Sequence, residues 1–275
     1  MSTLIIHSPE LTDIQRHTLQ KIGPLCAHTQ HFRIASVNLD KIQVRALSQK
    51  LQLDLNLLPS HLNACGFKLV ISDMDSTLIA IECIDEIADM MNIKPQVSAI
   101  TEAAMRGELN FEQSLTQRVA LLSGLSEDAL QRVYDERLKL NPGAQTWLAG
   151  LKQAGIKFAL VSGGFTFFTD RLQQHLGLDY SRANQLAIHQ QKLSGTIDGD
   201  IIGAQAKADF LLELCQKMGI SAQQALAVGD GANDLLMMQQ AGLSIAYHAK
   251  PKVQEQADCA LNFRGLDAIL DFVRL

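Results

Sequence analysis

Two aspartates one residue apart, Asp73 and Asp75, stand where an apolar run gives out in "KLVISDMDSTLIA". Carboxylates set against a core are costly unless a cation or a proton offsets them. An Asp after a strand most often caps a helix N-terminus; the alternative is that it holds a metal and does chemistry. Other groups bear on the choice. "VSGG" places Ser162, Gly163 and Gly164 after a second apolar run, and Lys207 stands near the start of the helical stretch "KADFLLELCQKMG". "VGDGANDLLMM" supplies Asp230, Asn233 and Asp234. Four aspartates against one lysine in a cleft would repel one another without a divalent cation. Oxygen donors with no His or Cys nearby point to magnesium, which takes a few carboxylates and leaves room for water and phosphate oxygens.

Given a metal, the two aspartates take different jobs. A carboxylate is a competent nucleophile toward phosphorus. A second carboxyl two residues on can protonate the leaving oxygen and then deprotonate the attacking water. The Ser162 hydroxyl and the Gly163 N–H can bind phosphoryl oxygens, and Lys207 adds positive charge. Those are the parts for hydrolysis through a phosphoenzyme.

"DMDST", "VSGG", the isolated Lys207 and "GDGAND" together resemble the four motifs of the haloacid dehalogenase superfamily of phosphohydrolases, and within it the phosphoserine phosphatase family, from Phe67 to the C-terminus. The resemblance implies Asp73 as nucleophile and Asp75 as acid/base. It implies magnesium held by Asp73, the Asp75 backbone carbonyl and Asp230, with Asp234 orienting Lys207 or supporting the metal shell. Glu82 and Arg118 match the family's charged substrate contacts, Met105 and Phe111 its apolar cap contacts, and Ser162, Gly163, Lys207 and Asn233 belong to the same substrate-binding set. The reaction implied is conversion of O-phosphoserine to serine and phosphate, the last step of serine biosynthesis. Phosphoserine carries an ammonium and a carboxylate, so a selective site needs one group of each sign. Arg118 sits on an apolar helical stripe beside Leu115, Leu121 and Leu122, where a charge needs a partner. The bland alternatives are a solvated Glu82 and an Arg118 paired with Glu108 or Glu112. A phosphatase for another small ester and a phospho-accepting regulatory protein are the competing functions; the latter would lack the role of Asp75 and the cap.

The elements that must position these residues read as an α/β fold. Apolar runs at Phe67–Ser72, 156–162, 225–229 and 243–248 alternate with helical patterns, which implies a doubly wound, mostly parallel sheet covered on both faces. Ligands of such sheets bind beyond the carboxyl ends of the strands. Between the first two runs lie helical patterns throughout, a cap over about 83–140, with Ile84, Ile87, Ala88 and Met91 on one face. A hairpin is predicted over roughly 183–202. The break "PSHLNACG" separates a small α+β domain, 1–65, of unassigned role, with regulation as one reading, from a phosphatase domain, 66–275. His28 and His31 have metal-like spacing but no third ligand, and read as surface strand residues.

The chain has 275 residues, 47% hydrophobic and 19% charged, with net charge −5, which suits a large core and gives no basic footprint for nucleic acid. No signal peptide or membrane span is read, and five scattered cysteines without a CxxC pair suit reduced thiols in the cytoplasm. The expected partner is a small-molecule substrate, with a homodimer left open.

Overall fold

The computed structural model describes residues 2–58 and 66–273, without the Met105 side chain. The break read at "PSHLNACG" falls, but for Gly66, outside the described residues. The first segments are β1 (Ser2–Ile6), α1 (Asp13–Gln20), β2 (Cys26–Ala27), β3 (Phe32–Val37), α2 (Lys41–Leu51) and β4 (Leu55–Leu58). The strands form an antiparallel sheet in the order β2-β3-β1-β4. Both helices begin with reciprocal caps, Thr12 with Gln15 and Asp40 with Gln43, which satisfy otherwise orphaned N–H groups. Leu4, Ile6, Leu19, Ile34 and Leu51 form the core between helices and sheet.

The second sheet opens with β5 (Leu69–Ser72). Next come the cap helices α3 (Cys83–Met90), α4 (Lys94–Met105), α5 (Phe111–Ala120) and α6 (Asp128–Glu136). The chain returns through α7 (Ala144–Gln153), β6 (Lys157–Phe165), α8 (Thr166–Leu176), β7 (Tyr180–His189) and β8 (Lys192–Asp198). It continues through α9 (Ala204–Met218), β9 (Ala225–Gly229), α10 (Leu235–Gln240) and β10 (Leu243–Tyr247), then α11 (Pro251–Gln256), β11 (Cys259–Leu261) and α12 (Leu270–Val273). The strand order is β11-β10-β9-β5-β6-β7-β8, parallel except for the β7–β8 hairpin. Side-chain alternation gives each face its own core. Val70, Leu160, Val228 and Ile245 meet Trp147 and Phe158 on one side; Leu69, Ile71, Ala159 and Ala227 meet Phe210, Leu211 and Leu214 on the other.

Four details differ from the sequence reading. The short strands β2 and β11 lacked a periodic signal. The cap is not helical throughout: Ile79 bridges to Leu140 and Ser126 to Lys192. Strand β6 runs on to Phe165, so Ser162–Gly164 lie within an irregular strand end rather than after it. His31 is buried, with Nδ1 at 3.1 Å from Asp271 Oδ1, and His28 stacks on it at 4.6 Å. The predicted hairpin is present, and its turn residues Gln190 and Gln191 have φ of 51° and 63°, the left-handed pair that matches strand twist.

The first sheet docks on the edge of the second through polar clasps. The Asn56 amide pairs with both backbone groups of Ala260, at 2.9 and 2.8 Å, as a neighbouring strand would. The buried Asp54 carboxylate accepts the successive N–H groups of Asn262, Phe263 and Arg264 at 2.6, 3.0 and 2.8 Å. Asp54→Ala would strand those donors and is expected to destabilise the protein by about 1.5–3 kcal/mol in urea unfolding. A loss under about 0.5 kcal/mol would mean that water replaces the carboxylate.

Candidate active site

Asp73 leaves β5 with its N–H donating to the Val228 carbonyl (3.0 Å), so neighbouring strands fix its start. The chain then makes one wide turn, Met74–Leu78, closed by the Ile79 N–H on the Met74 carbonyl (3.0 Å), with Ser76 at φ 55°. The Asn141 amide spans this turn, donating to the carbonyls of Thr77 (2.8 Å) and Ile79 (3.1 Å). Asp73 Oδ1 accepts from its neighbour Met74 N–H at 2.8 Å and lies 2.7 Å from Lys207 Nζ. Asp75 turns elsewhere: Oδ1 accepts the Cys83 N–H at 2.9 Å and Oδ2 accepts from the Ser162 hydroxyl at 3.3 Å. Burial raises the Asp75 pKa against the pull of those bonds.

Lys207, fully buried on α9, bridges Asp73 and Asp234 at 2.7 Å each. Burial works to neutralise it, yet the two carboxylates hold its pKa above the ordinary lysine value. Asp234 Oδ2 accepts the Gly231 N–H at 3.1 Å, so both of its oxygens are engaged. A Cβ at Gly229 would collide with that carboxylate, which is why the strand ends in glycine. Asp230 Oδ1 accepts from Thr77 Oγ1 at 3.0 Å, and burial together with the Asp234 charge pushes its pKa up to about 6.

Carboxylate oxygens of Asp73, Asp230 and Asp234 lie within 4.8 Å of one another. Burial, then the Asp234 charge, raises Asp73 well above the carboxylate range, although Lys207 opposes this. Crowded oxygen donors held at this cost fit a hard divalent cation. Asp234 is spent on Lys207 and Gly231, so Asp73 and Asp230 are the carboxylates with oxygen to offer.

Ser162–Gly164 face Asp75 from the end of β6. The Gly164 N–H donates to Ser162 Oγ at 2.7 Å. Both glycines admit close neighbours: a Cβ on Gly163 would lie 2.7 Å from the Phe111 ring, and one on Gly164 would lie 2.7 Å from Asp75 Oδ2. Phe111, the first residue of α5, therefore brings the cap onto the strand ends. Glu82, just before α3, accepts from Ser76 Oγ at 2.6 Å. Its carboxylate is crowded by protein and by Asp75, which push its pKa up to about 7, though water still reaches the residue. Arg118 is half-buried on α5 and donates from Nε to the Ser114 carbonyl at 3.3 Å. Among the described residues no carboxylate lies within ion-pair distance of it. Burial lowers its pKa while Asp85, Glu82 and Asp75 pull the other way. Glu108 pairs with Arg106 at 2.7 Å, and Glu112 Oε1 lies beside Gly203. Asn233 folds its side chain over Gly231, beside Asp234. Met105 ends α4, but its side chain lies outside the described residues.

Sequence reasoning passed over Ser76, Thr77, Asn141 and Asn184. Ser76 and Thr77 stood inside the quoted motif, and their hydroxyls were the available signal. Asn141 and Asn184 carry no local signal, because their partners are backbone carbonyls distant in the chain.

The model of the haloacid dehalogenase-like hydrolase family matches residues 67–242. A phosphoserine phosphatase from Polaromonas sp. is 54% identical over 225 residues, 80% of this chain and 95% of that protein. A HAD family hydrolase from Salmonella enterica serovar Typhi superposes with TM-score 0.90 at 33% identity, over 99% of this chain and 98% of its own. A probable phosphoserine phosphatase from Vibrio cholerae superposes with TM-score 0.84 at 37% identity, over 99% of this chain and 86% of its own. Among the described residues no helix is long and apolar enough to cross a membrane.

Proposed function

The chain belongs to the haloacid dehalogenase-like hydrolase family, and from that premise we propose that it hydrolyses O-phosphoserine to serine and phosphate through an aspartyl phosphate on Asp73. The observation that carries the substrate is the half-buried Arg118, without an acidic partner among the described residues, on the cap helix that also brings Phe111 over Gly163. Its guanidinium awaits a carboxylate. Glu82, at the first motif's end of the cap, is the complementary acid; a substrate ammonium would favour its charged form and bring its pKa back down. Phe111 and Met105 supply the apolar contacts between those charges.

In the first step an Asp73 oxygen bonds to phosphorus while the bond to the serine oxygen breaks, and Asp75 gives that oxygen its proton. Asp75 then takes a proton from water. The water oxygen bonds to phosphorus, the bond to Asp73 breaks, and phosphate leaves. Ser162, the Gly163 N–H, Asn233 and Lys207 hold phosphoryl oxygens or their charge in place. Asp234 keeps Lys207 beside Asp73, where its charge favours the ionised carboxylate against burial. Magnesium, held by Asp73, the Asp75 carbonyl and Asp230, would neutralise charge on the transferring group. Four free thiols among the described residues suit a cytoplasmic enzyme, whose phosphatase unit spans 66–275.

Arg118→Ala tests the substrate. A charge-assisted bond contributes about 1.5–3 kcal/mol, so kcat/KM for phosphoserine is expected to fall roughly 10- to 150-fold. An aryl phosphate without a carboxylate should lose far less. Equal losses on both esters, with an unchanged melting temperature, would remove Arg118 from substrate recognition.

A further inference from the structure

We propose that Asn184 is a positioning residue for the phosphoryl-binding loop, acting on the Ser162 hydroxyl through the peptide group between Gly163 and Gly164. The inference rests on the phosphatase reading above and adds a residue that lies outside its four motifs.

The pairing of β6 with β7 steps four residues on one side, Val161 to Phe165, against two on the other, Arg182 to Asn184. Ser162, Gly163 and Gly164 therefore bulge out of register with β7. The Asn184 side chain, 1% exposed, spans the bulge. Its Nδ2 donates to the Gly163 carbonyl at 2.7 Å and to the Gly164 carbonyl at 3.2 Å. Its Oδ1 accepts the Ile202 N–H at 2.7 Å, which anchors the amide to the segment leading into α9 and Lys207.

One peptide group is thereby held at both ends. Its carbonyl, from Gly163, accepts from Asn184, and its N–H, from Gly164, donates to Ser162 Oγ at 2.7 Å. The accepted bond occupies the serine oxygen and leaves its hydroxyl proton directed at Asp75 Oδ2, 3.3 Å away, or at a phosphoryl oxygen. Both residues of this peptide must be glycine, because Phe111 and Asp75 press against the positions of their Cβ atoms. Glycine pairs are the stretch of backbone freest to rotate. The crowding that excludes side chains from the loop thus removes their stiffening, and Asn184 replaces it from outside.

Asn184→Asp keeps the shape and the acceptor toward Ile202 but removes the donor toward Gly163 and Gly164. A misplacement of about 1 Å can cost on the order of a hundredfold in rate. The expected result is a 10- to 100-fold lower kcat on phosphoserine with KM changed less than about threefold. Asn184→Ala, which introduces no charge, should repeat the kcat loss if the aspartate folds poorly. The deciding readout is a double-mutant cycle with Ser162→Ala. If Asn184 works through the serine, adding either Asn184 substitution to Ser162→Ala costs little beyond Ser162→Ala alone. Multiplying losses, kcat near wild type in the Asn184 variants, or losses that track only the folded fraction in a thermal melt would overturn the proposal. Failure of the wild type on phosphoserine would instead sink the substrate reading, and the cycle could still be read on an aryl phosphate.

Discussion

Asp73→Asn should leave no measurable turnover, a loss of at least about four orders of magnitude in kcat, because an amide oxygen does not displace the leaving group at phosphorus. The fold should survive the change. The Asn carbonyl oxygen can still accept the Met74 N–H and face Lys207, as Asp73 Oδ1 does at 2.8 and 2.7 Å. Lys207 would keep Asp234 as its counter-charge. The measurement is rapid quenching with ³²P-labelled phosphoserine, which should trap label on the wild-type protein and none on the variant. Asp75→Asn separates the second role. Losing the proton shuttle is expected to lower the rate about 10²- to 10⁴-fold on phosphoserine, and less on esters with good leaving groups. Label on Asp73→Asn, or near-normal turnover, would place the nucleophile elsewhere.

Removing divalent metal is the second large effect. Excess chelator should abolish phosphoserine hydrolysis, and magnesium should restore it, while calcium, with looser and longer coordination, should restore little. A readout independent of activity follows from the carboxylate cluster. Asp73 and Asp230 are held above their ordinary pKa values by burial and by Asp234. A cation that binds only the folded state offsets that strain. At a hundred times its dissociation constant it adds about 2.7 kcal/mol, or roughly 5–10 °C in melting temperature for a protein of this size. Asp230→Asn should remove most of that shift. A melting temperature indifferent to magnesium, with full activity in chelator, would take the metal out of the scheme.

The sequence by itself determined where the chemistry could stand. Short apolar runs alternating with amphipathic helices can be buried only as a parallel sheet with helices on both faces, so residues ending those runs share one edge. That is why Asp73 and Asp230, each at the end of its run, were legible together. The cap was legible as helices because its periodicity is local, and the hairpin because alternation and a turn are local.

Only the tertiary structure decided the polar contacts between segments distant in sequence. Lys207 had no local signal and was legible only through the resemblance, which left Asp234 either to orient it or to support a metal; the structure sets Lys207 2.7 Å from both Asp73 and Asp234. His31 read as a surface residue because strand alternation records only that a side chain faces one side, and the docking of the first sheet on Asp271 turned that side into an interior. Arg118 read as a charge in need of a partner, and folding removed the candidates, with Glu108 on Arg106 and Glu112 beside Gly203. Asn184 was silent because its partners are the carbonyls of Gly163 and Gly164, where β6 bulges out of register with β7. Periodicity reports which face of an element is apolar; which donor meets which acceptor is set by how the elements pack.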